Sequence, residues 1–317
     1  MADHAPTPDI AAHLLTNGYV IIPSFLPPSD LAALRAATTA LTSTARLGHW
    51  PHVRTVPKQF PPWPVPSPSH PLPIWGIQHL LHPTLPLPAS DRAALTTLYF
   101  SPPLLSLTST LLTATTTLPT TPSDLVLELF NLLITPRRAP PASDPIPFSL
   151  TWHRDDIPAT ASAEEELAAL LRPAFHAQWN LPLAPDGDAS LVVVPGSHRR
   201  ARTADERRVQ REGGEMPGAV RVELGAGDVV FYDSNILHRG VYEDGAERMT
   251  LHGSVGRVGG EAGRARNVLQ HGVGEWVGGL VLGCLGEGEG RAVAEGMRAR
   301  LVKMGRGWQG GEYSLEG

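Results

Sequence analysis

One cysteine, Cys284, occurs in 317 residues, which excludes an internal disulfide and a cysteine-built zinc site and fits a reducing compartment. No stretch approaches 18 uninterrupted apolar residues, and Met1 to Ile10 shows no basic region followed by an apolar one. Neither a membrane span nor a secretory leader is therefore expected. Basic excess is also lacking: the formal charge is −5 and the isoelectric point near 6.2, so nothing draws the chain to nucleic-acid phosphates. The final Ser314-Leu315-Glu316-Gly317 is not the tripeptide peroxisomal address, and the cytoplasm is the expected location. The expected partner is a small molecule, with the chain a monomer or homodimer.

Proline and glycine, by contrast, are abundant, at 32 and 31 residues. They favour short strands, turns and loops over a helical bundle, while 42% hydrophobic residues suffice for a real core. Tyr19-Val20-Ile21-Ile22 reads as a strand closed by Pro23, followed by a helix from Leu31 to Leu41 capped by Ser29 or Asp30. From Pro51 to Pro73 the prolines remove too many N–H donors for a central strand. That segment reads as a long loop whose Phe60, Trp63 and Trp75 form either a lid or an ordinary packed surface. Helix broken at Pro102-Pro103 is expected over Pro88 to Leu112, a strand over Leu125 to Ile134, and a proline-rich linker over Pro136 to Pro147.

Beyond Leu150 short strands alternate with turns: Ser149 to His153, Phe175 to Leu183, Leu191 to Val194, Arg221 to Leu224, Asp228 to Tyr232 and Arg248 to Val255. This pattern suits a jelly roll. An acidic helical insertion is expected over Ala161 to Leu171 and a polar, arginine-rich excursion over Arg199 to Arg211. The latter reads as a solvated face sooner than an anion site. The glycines of Gly272 to Gly290 lack the strand and distant acid of a dinucleotide fingerprint and read as a flexible linker to a helix over Arg291 to Val302.

In Trp152-His153-Arg154-Asp155 the histidine and aspartate are two residues apart, so on extended chain both side chains leave one face. Two imidazoles and one carboxylate form a facial triad that leaves positions open on Fe(II), so a second histidine is required. His238 has a local reason to be chosen among the 13 histidines: it ends an apolar run that starts at the Gly227-Asp228 turn. Ten residues on, Arg248 opens another strand and shares a face with Thr250, where a guanidinium assisted by a hydroxyl can hold a dicarboxylate. Asp156 and Arg154 point to the opposite face, toward hydrogen-bonding or lid roles. His198, in Pro195-Gly196-Ser197-His198, reads as a turn-fixing residue.

With these residues in place the sequence resembles the phytanoyl-CoA dioxygenase family of Fe(II)/2-oxoglutarate oxygenases. The resemblance runs from Gly18 to about Ser254 and rests on Asn17 to Pro23, Trp152 to Asp155, Val194 to Arg199, and the Gly227-Asp228 strand leading to His238 and Arg248. It implies a mixed α/β protein with an all-β core, a double-stranded β-helix (cupin-like jelly roll) with flanking helices. An oxygenase domain over residues 1–260 and a packed or extending C-terminal segment over 261–317 follow. It implies His153, Asp155 and His238 as Fe(II) ligands and Arg248 as the anchor of 2-oxoglutarate. The implied reaction splits dioxygen, decarboxylates 2-oxoglutarate to succinate and oxidises, usually by hydroxylation, a largely apolar small molecule. Gly240 stands where the family often carries a serine, so Thr250 is expected to supply that hydrogen bond. For the family's tryptophan near the cosubstrate, Trp179 or the adjacent Gln178 is the expected counterpart. A non-catalytic jelly-roll binding protein and a zinc hydrolase on the same barrel are the competing readings.

Overall fold

The computed structural model describes residues 8–56, 73–136, 148–173, 175–243, 247–260 and 262–307. Its strands are β1 (Tyr19–Ile22), β2 (Val53–Thr55), β3 (Ile74–Ile77), β4 (Leu125–Ile134), β5 (Phe148–Ser149), β6 (His176–Pro182), β7 (Asp188–Val193), β8 (Val220–Leu224), β9 (Val229–Tyr232), β10 (His238–Tyr242) and β11 (Met249–Arg257). They form a seven-stranded sheet in the order β1-β9-β6-β11-β4-β3-β2 and a four-stranded sheet in the order β5-β10-β7-β8. All recorded pairings are antiparallel. The expected double-stranded β-helix is thus present as two separate sheets.

The helices are α1 (Pro8–Asn17), α2 (Pro28–Arg46), α3 (Ala89–Tyr99), α4 (Pro102–Thr116), α5 (Ala163–Leu170), α6 (Ala204–Glu212), α7 (Ala262–Val268), the single turn α8 (Gly274–Trp276) and α9 (Glu289–Arg306). Helices α2, α3, α4 and α9 bury apolar residues on the outer face of the large sheet, where Leu41, Leu95, Leu104 and Leu301 join Trp179, Leu251 and Val229 in one core. Strand alternation divides the large sheet cleanly. On β6, Ala177, Trp179 and Leu181 enter that core, while Gln178 and Asn180 line the space between the sheets. On β11, Leu251 and Val255 face the helices, and His252 and Ser254 face the inter-sheet space. The apolar face of the large sheet takes the helices; its opposite face is left for chemistry.

Several expectations change. Pro27, without a side-chain bond, caps α2, and Ser29 and Asp30 lie inside its first turn. Within the proline-rich stretch, Val53–Thr55 pairs with β3 as an edge strand, a place where missing donors on one side do no harm. Trp75 is buried in β3 and donates to Thr55 O at 3.1 Å, so it belongs to the wall and not to a lid. Phe60 and Trp63, like most of the Pro136 to Pro147 linker, lie outside the described residues. The glycine-rich stretch is no free linker: Val273, Trp276, Val277, Leu280 and Leu282 are buried in the main core, and Arg300 of α9 donates to Leu125 O at 2.6 Å. Short apolar residues between the glycines carry that packing. No helix among the described residues is long and apolar enough to cross a membrane.

Candidate metal centre and cosubstrate pocket

His153 and His238 form an isolated antiparallel bridge, each backbone N–H donating to the other's carbonyl, at 3.0 and 3.1 Å. Directly paired residues put their side chains on one face, and the two rings stand 4.3 Å apart. Asp155 N donates to Ser234 O at 2.9 Å, which returns the aspartate to the same face two residues later. His153 Nε2 and His238 Nε2 consequently lie 3.5 and 3.7 Å from Asp155 Oδ1. One potential ligand atom from each of the three residues falls within 4.8 Å of the others.

The histidines are oriented by main chain. His153 Nδ1 lies 2.8 Å from Thr151 O and His238 Nδ1 lies 2.9 Å from Ile236 O, so each Nδ1 donates to a main-chain carbonyl and each Nε2 is turned toward Asp155. Asp155 Oδ2 accepts from Gln178 Nε2 at 2.9 Å, leaving Oδ1 toward the histidines. Burial lowers the pKa of His238 to about 4, helped by His153. For Asp155 burial works the other way, but His238, His153, Arg264 and the Gln178 hydrogen bond bring it down to about 2. At neutral pH the set is therefore a carboxylate beside a neutral His238, the donor chemistry a divalent cation requires.

This cluster opens into a cavity of about 990 Å³ between the sheets, at the upper end of the roughly 300 to 1,000 Å³ common for small-molecule sites. Arg248 lines the same cavity. Its Nε donates to Asp188 Oδ2 at 3.0 Å, and its guanidinium lies 4.8 Å over the Tyr242 ring. Asp188 and Tyr242 raise the Arg248 pKa against the opposing effect of burial. Asp188, an acid within a Pro-Asp-Gly-Asp sequence that reads as a turn, was not legible as a site residue; its contact with Arg248 crosses from β7 of the small sheet to the start of β11 in the large one.

Two expectations change, one by burial and one by side-chain direction. Thr250 is fully buried and donates its hydroxyl to Asp188 Oδ2 at 2.7 Å; it is not part of the cavity lining, so it acts on Arg248's partner. Trp179 is fully buried in the helix-side core, and a Cβ at Gly253 would meet its ring at 2.3 Å. Odd positions of β6 face the helices, so the neighbouring Gln178 holds the cavity side. At Gly240 a Cβ would come within 3.1 Å of the Tyr242 ring, which accounts for glycine there.

Asp156 and Arg154 line the cavity, and both are tied to the surrounding fold. Asp156 accepts from Ser234 Oγ at 2.9 Å and pins the turn before His238. Arg154 donates to Asn235 O and Arg200 O. His198 packs its ring against Gly18 and reaches Leu15 O at 3.2 Å. The arginine-rich excursion divides: Arg202 is buried and with Arg207 binds Glu166, and Arg200 binds Glu206 at 2.6 Å, while Arg199, Arg208 and Arg211 are exposed as the expected solvated face.

Residues 138–241 match the family model described as Phytanoyl-CoA dioxygenase (PhyH). Among solved structures the chain is similar to AviO1 from Streptomyces viridochromogenes Tue57, at 20% identity and TM-score 0.52 over 79% of this chain and 94% of that one. It is similar to EctD from S. alaskensis with 2-oxoglutarate and 5-hydroxyectoine, at 16% identity and TM-score 0.54 over 82% and 79%. HygX from Streptomyces hygroscopicus with nickel and 2-oxoglutarate bound shares 14% identity and TM-score 0.50 over 80% and 88%. No curated protein sequence matches. At these identities the solved structures establish the fold, and the matched segment contains His153, Asp155 and His238. The segment that carries the three candidate ligands therefore matches the model of the family that the sequence resembles.

Proposed function

We propose that the protein is an Fe(II)- and 2-oxoglutarate-dependent dioxygenase that hydroxylates a small or medium, largely apolar organic molecule, releasing succinate and carbon dioxide. The observation that carries this reading is the convergence of His153, Asp155 and His238 within 4.8 Å on a cavity that also exposes Arg248. The donor set fits Fe(II): two imidazoles and one carboxylate on one face, with the cavity side open. Bound there, iron with dioxygen and 2-oxoglutarate supplies the oxidising chemistry. EctD and HygX, which share the fold, hold 2-oxoglutarate in their structures.

Each residue of the chain has a physical task in this scheme. The carbonyls of Thr151 and Ile236 fix the imidazole tautomers, and Gln178 fixes the carboxylate. Arg248 receives the distal carboxylate of 2-oxoglutarate through its terminal N–H groups while Asp188 holds Nε. Trp75, Leu133 and Leu150 supply the apolar wall that excludes water around the substrate. Residues 1–260 act as the oxygenase domain and 261–317 as an extension, with α9 packed along β4.

The test is succinate formation from 2-oxoglutarate by the purified protein with Fe(II) in air. Succinate that requires oxygen and is lost when zinc replaces iron supports the reading. Succinate absent under every condition, or turnover sustained by zinc without oxygen, would assign the site to binding or hydrolysis.

A further inference from the structure

Six arginines and three carboxylates line the cavity among the described residues. Most of the arginines are tied down. Arg264 is paired with Glu128 at 2.8 Å and Arg248 with Asp188, while Arg154 and Arg257 are bonded to main-chain carbonyls and a threonine. Arg54 differs. It makes no hydrogen bond and no ion pair among the described residues, and its Nε is buried without a partner.

The Arg54 side chain is nonetheless held in place. Its guanidinium lies 5.2 Å over the Trp75 ring, and that ring is fixed by the indole bond to Thr55 O. Arg54 pairs across the strands with Gly76, where a Cβ would sit 3.3 Å from both Cβ and Cδ of the arginine. The missing side chain at Gly76 gives the arginine stem room to lie across the sheet. Burial pushes the Arg54 pKa below its ordinary value, with Tyr242 and Asp155 acting in the other direction. A guanidinium whose Nε is buried without a carboxylate partner carries a desolvation cost until an anion arrives.

The surroundings define the rest of the ligand. Trp75, Leu133 and Tyr242 form a buried cluster joined by Phe148 and Leu150, and Arg54 stands at its edge in the cavity that holds the triad. Tyr242, whose ring Arg248 covers, is 6.3 Å from the Trp75 ring covered by Arg54. Two guanidiniums therefore flank one aromatic wall, and the dicarboxylate cosubstrate engages Arg248.

We propose that Arg54 determines specificity by receiving an oxyanion head, a carboxylate above all, on the molecule to be oxidised, whose apolar body lies along Trp75, Leu133 and Leu150. This inference rests on the oxygenase reading for the identity of the site and narrows the substrate to an amphipathic acid.

The experiment is an anaerobic calorimetric titration of the protein, both apo and loaded with Fe(II) and 2-oxoglutarate, with 4-phenylbutyrate and its neutral amide as probes. The acid should bind the wild type roughly 10- to 100-fold tighter than the amide, the range of a hydrogen bond to a charged group. Arg54→Gln should lose that preference while 2-oxoglutarate affinity stays as in the wild type, and Arg54→Lys, which keeps the charge, should retain part of it. Circular dichroism checks that both variants fold, and the lysine variant carries the comparison if the glutamine variant does not. Equal binding of acid and amide to the wild type, or an undiminished preference in Arg54→Gln, would overturn the proposal. So would weakened 2-oxoglutarate binding in Arg54→Gln, which would assign Arg54 to the cosubstrate. A wild type that makes no succinate yet prefers the acid through Arg54 would remove the oxygenase reading and leave the anion site standing.

Discussion

The two ends of the cavity are built by different means. At the triad end the donors are set by main chain: the His153–His238 bridge, the Asp155 N–H on Ser234 O, and carbonyls behind both imidazoles. At the Arg248 end position depends on side chains, with Asp188 holding the guanidinium and Thr250 holding Asp188. A backbone-fixed site tolerates loss of a supporting side chain, and a site supported by side chains transmits it. Metal binding should therefore be robust to changes around the histidines, whose partners are carbonyls, and sensitive at Gln178 behind Asp155, while cosubstrate binding should be sensitive to changes behind Arg248.

The largest effect is expected at the triad itself. Asp155→Ala or His238→Ala should abolish iron binding and succinate formation together, checked by metal analysis after desalting. Next, Arg248→Ala should weaken 2-oxoglutarate binding by about 2 to 5 kcal/mol, as when one partner of a buried charged pair is removed, with iron retained. Loss of iron in that variant would erase the distinction between the ends. Gln178→Ala should lower metal affinity roughly 10- to 100-fold, the usual range for partners behind metal ligands. Asp188→Asn, which keeps the shape but not the charge, should raise the 2-oxoglutarate requirement by roughly tenfold through loss of a charged hydrogen bond and leave iron affinity alone.

The smallest effect concerns pH. His238, His252 and His271 have pKa values lowered by burial to about 4, 3 and 4. Unfolded histidines take up protons near about 6.5, so below that pH the unfolded chain binds more protons than the folded one and stability falls. The melting temperature of the metal-free protein should decline steadily from pH 7 to pH 5. A flat profile would mean that these histidines are not buried and neutral.

The sequence made the triad legible because its signals are local. A two-residue spacing on extended chain and a histidine after an apolar run survive without knowledge of neighbours. Most strands were legible for the same reason, since alternation and turn residues mark them. Asp188 and Arg54 were hidden because their meaning comes from contacts between strands distant in sequence, across the two sheets for Asp188 and across the β2–β3 pair for Arg54: an acid after Gly187 looks like a turn residue, and an arginine between prolines looks like loop. Trp179 was misplaced by a single position, which on a strand reverses the face. The C-terminal segment was misread because its glycines obscured the apolar residues Val273, Trp276 and Val277, which pack in the core.

The central claim, that this triad and Arg248 hold iron and 2-oxoglutarate at one site, is tested most directly by anaerobic titration of the apo protein with Fe(II) and 2-oxoglutarate, followed at the weak visible charge-transfer absorption of the chelate. The wild type should develop the band, the His238→Ala protein should not, and the Arg248→Ala protein should require far more 2-oxoglutarate to reach it. A wild type that binds iron without developing the band, or an Arg248→Ala protein that titrates like the wild type, would contradict the account.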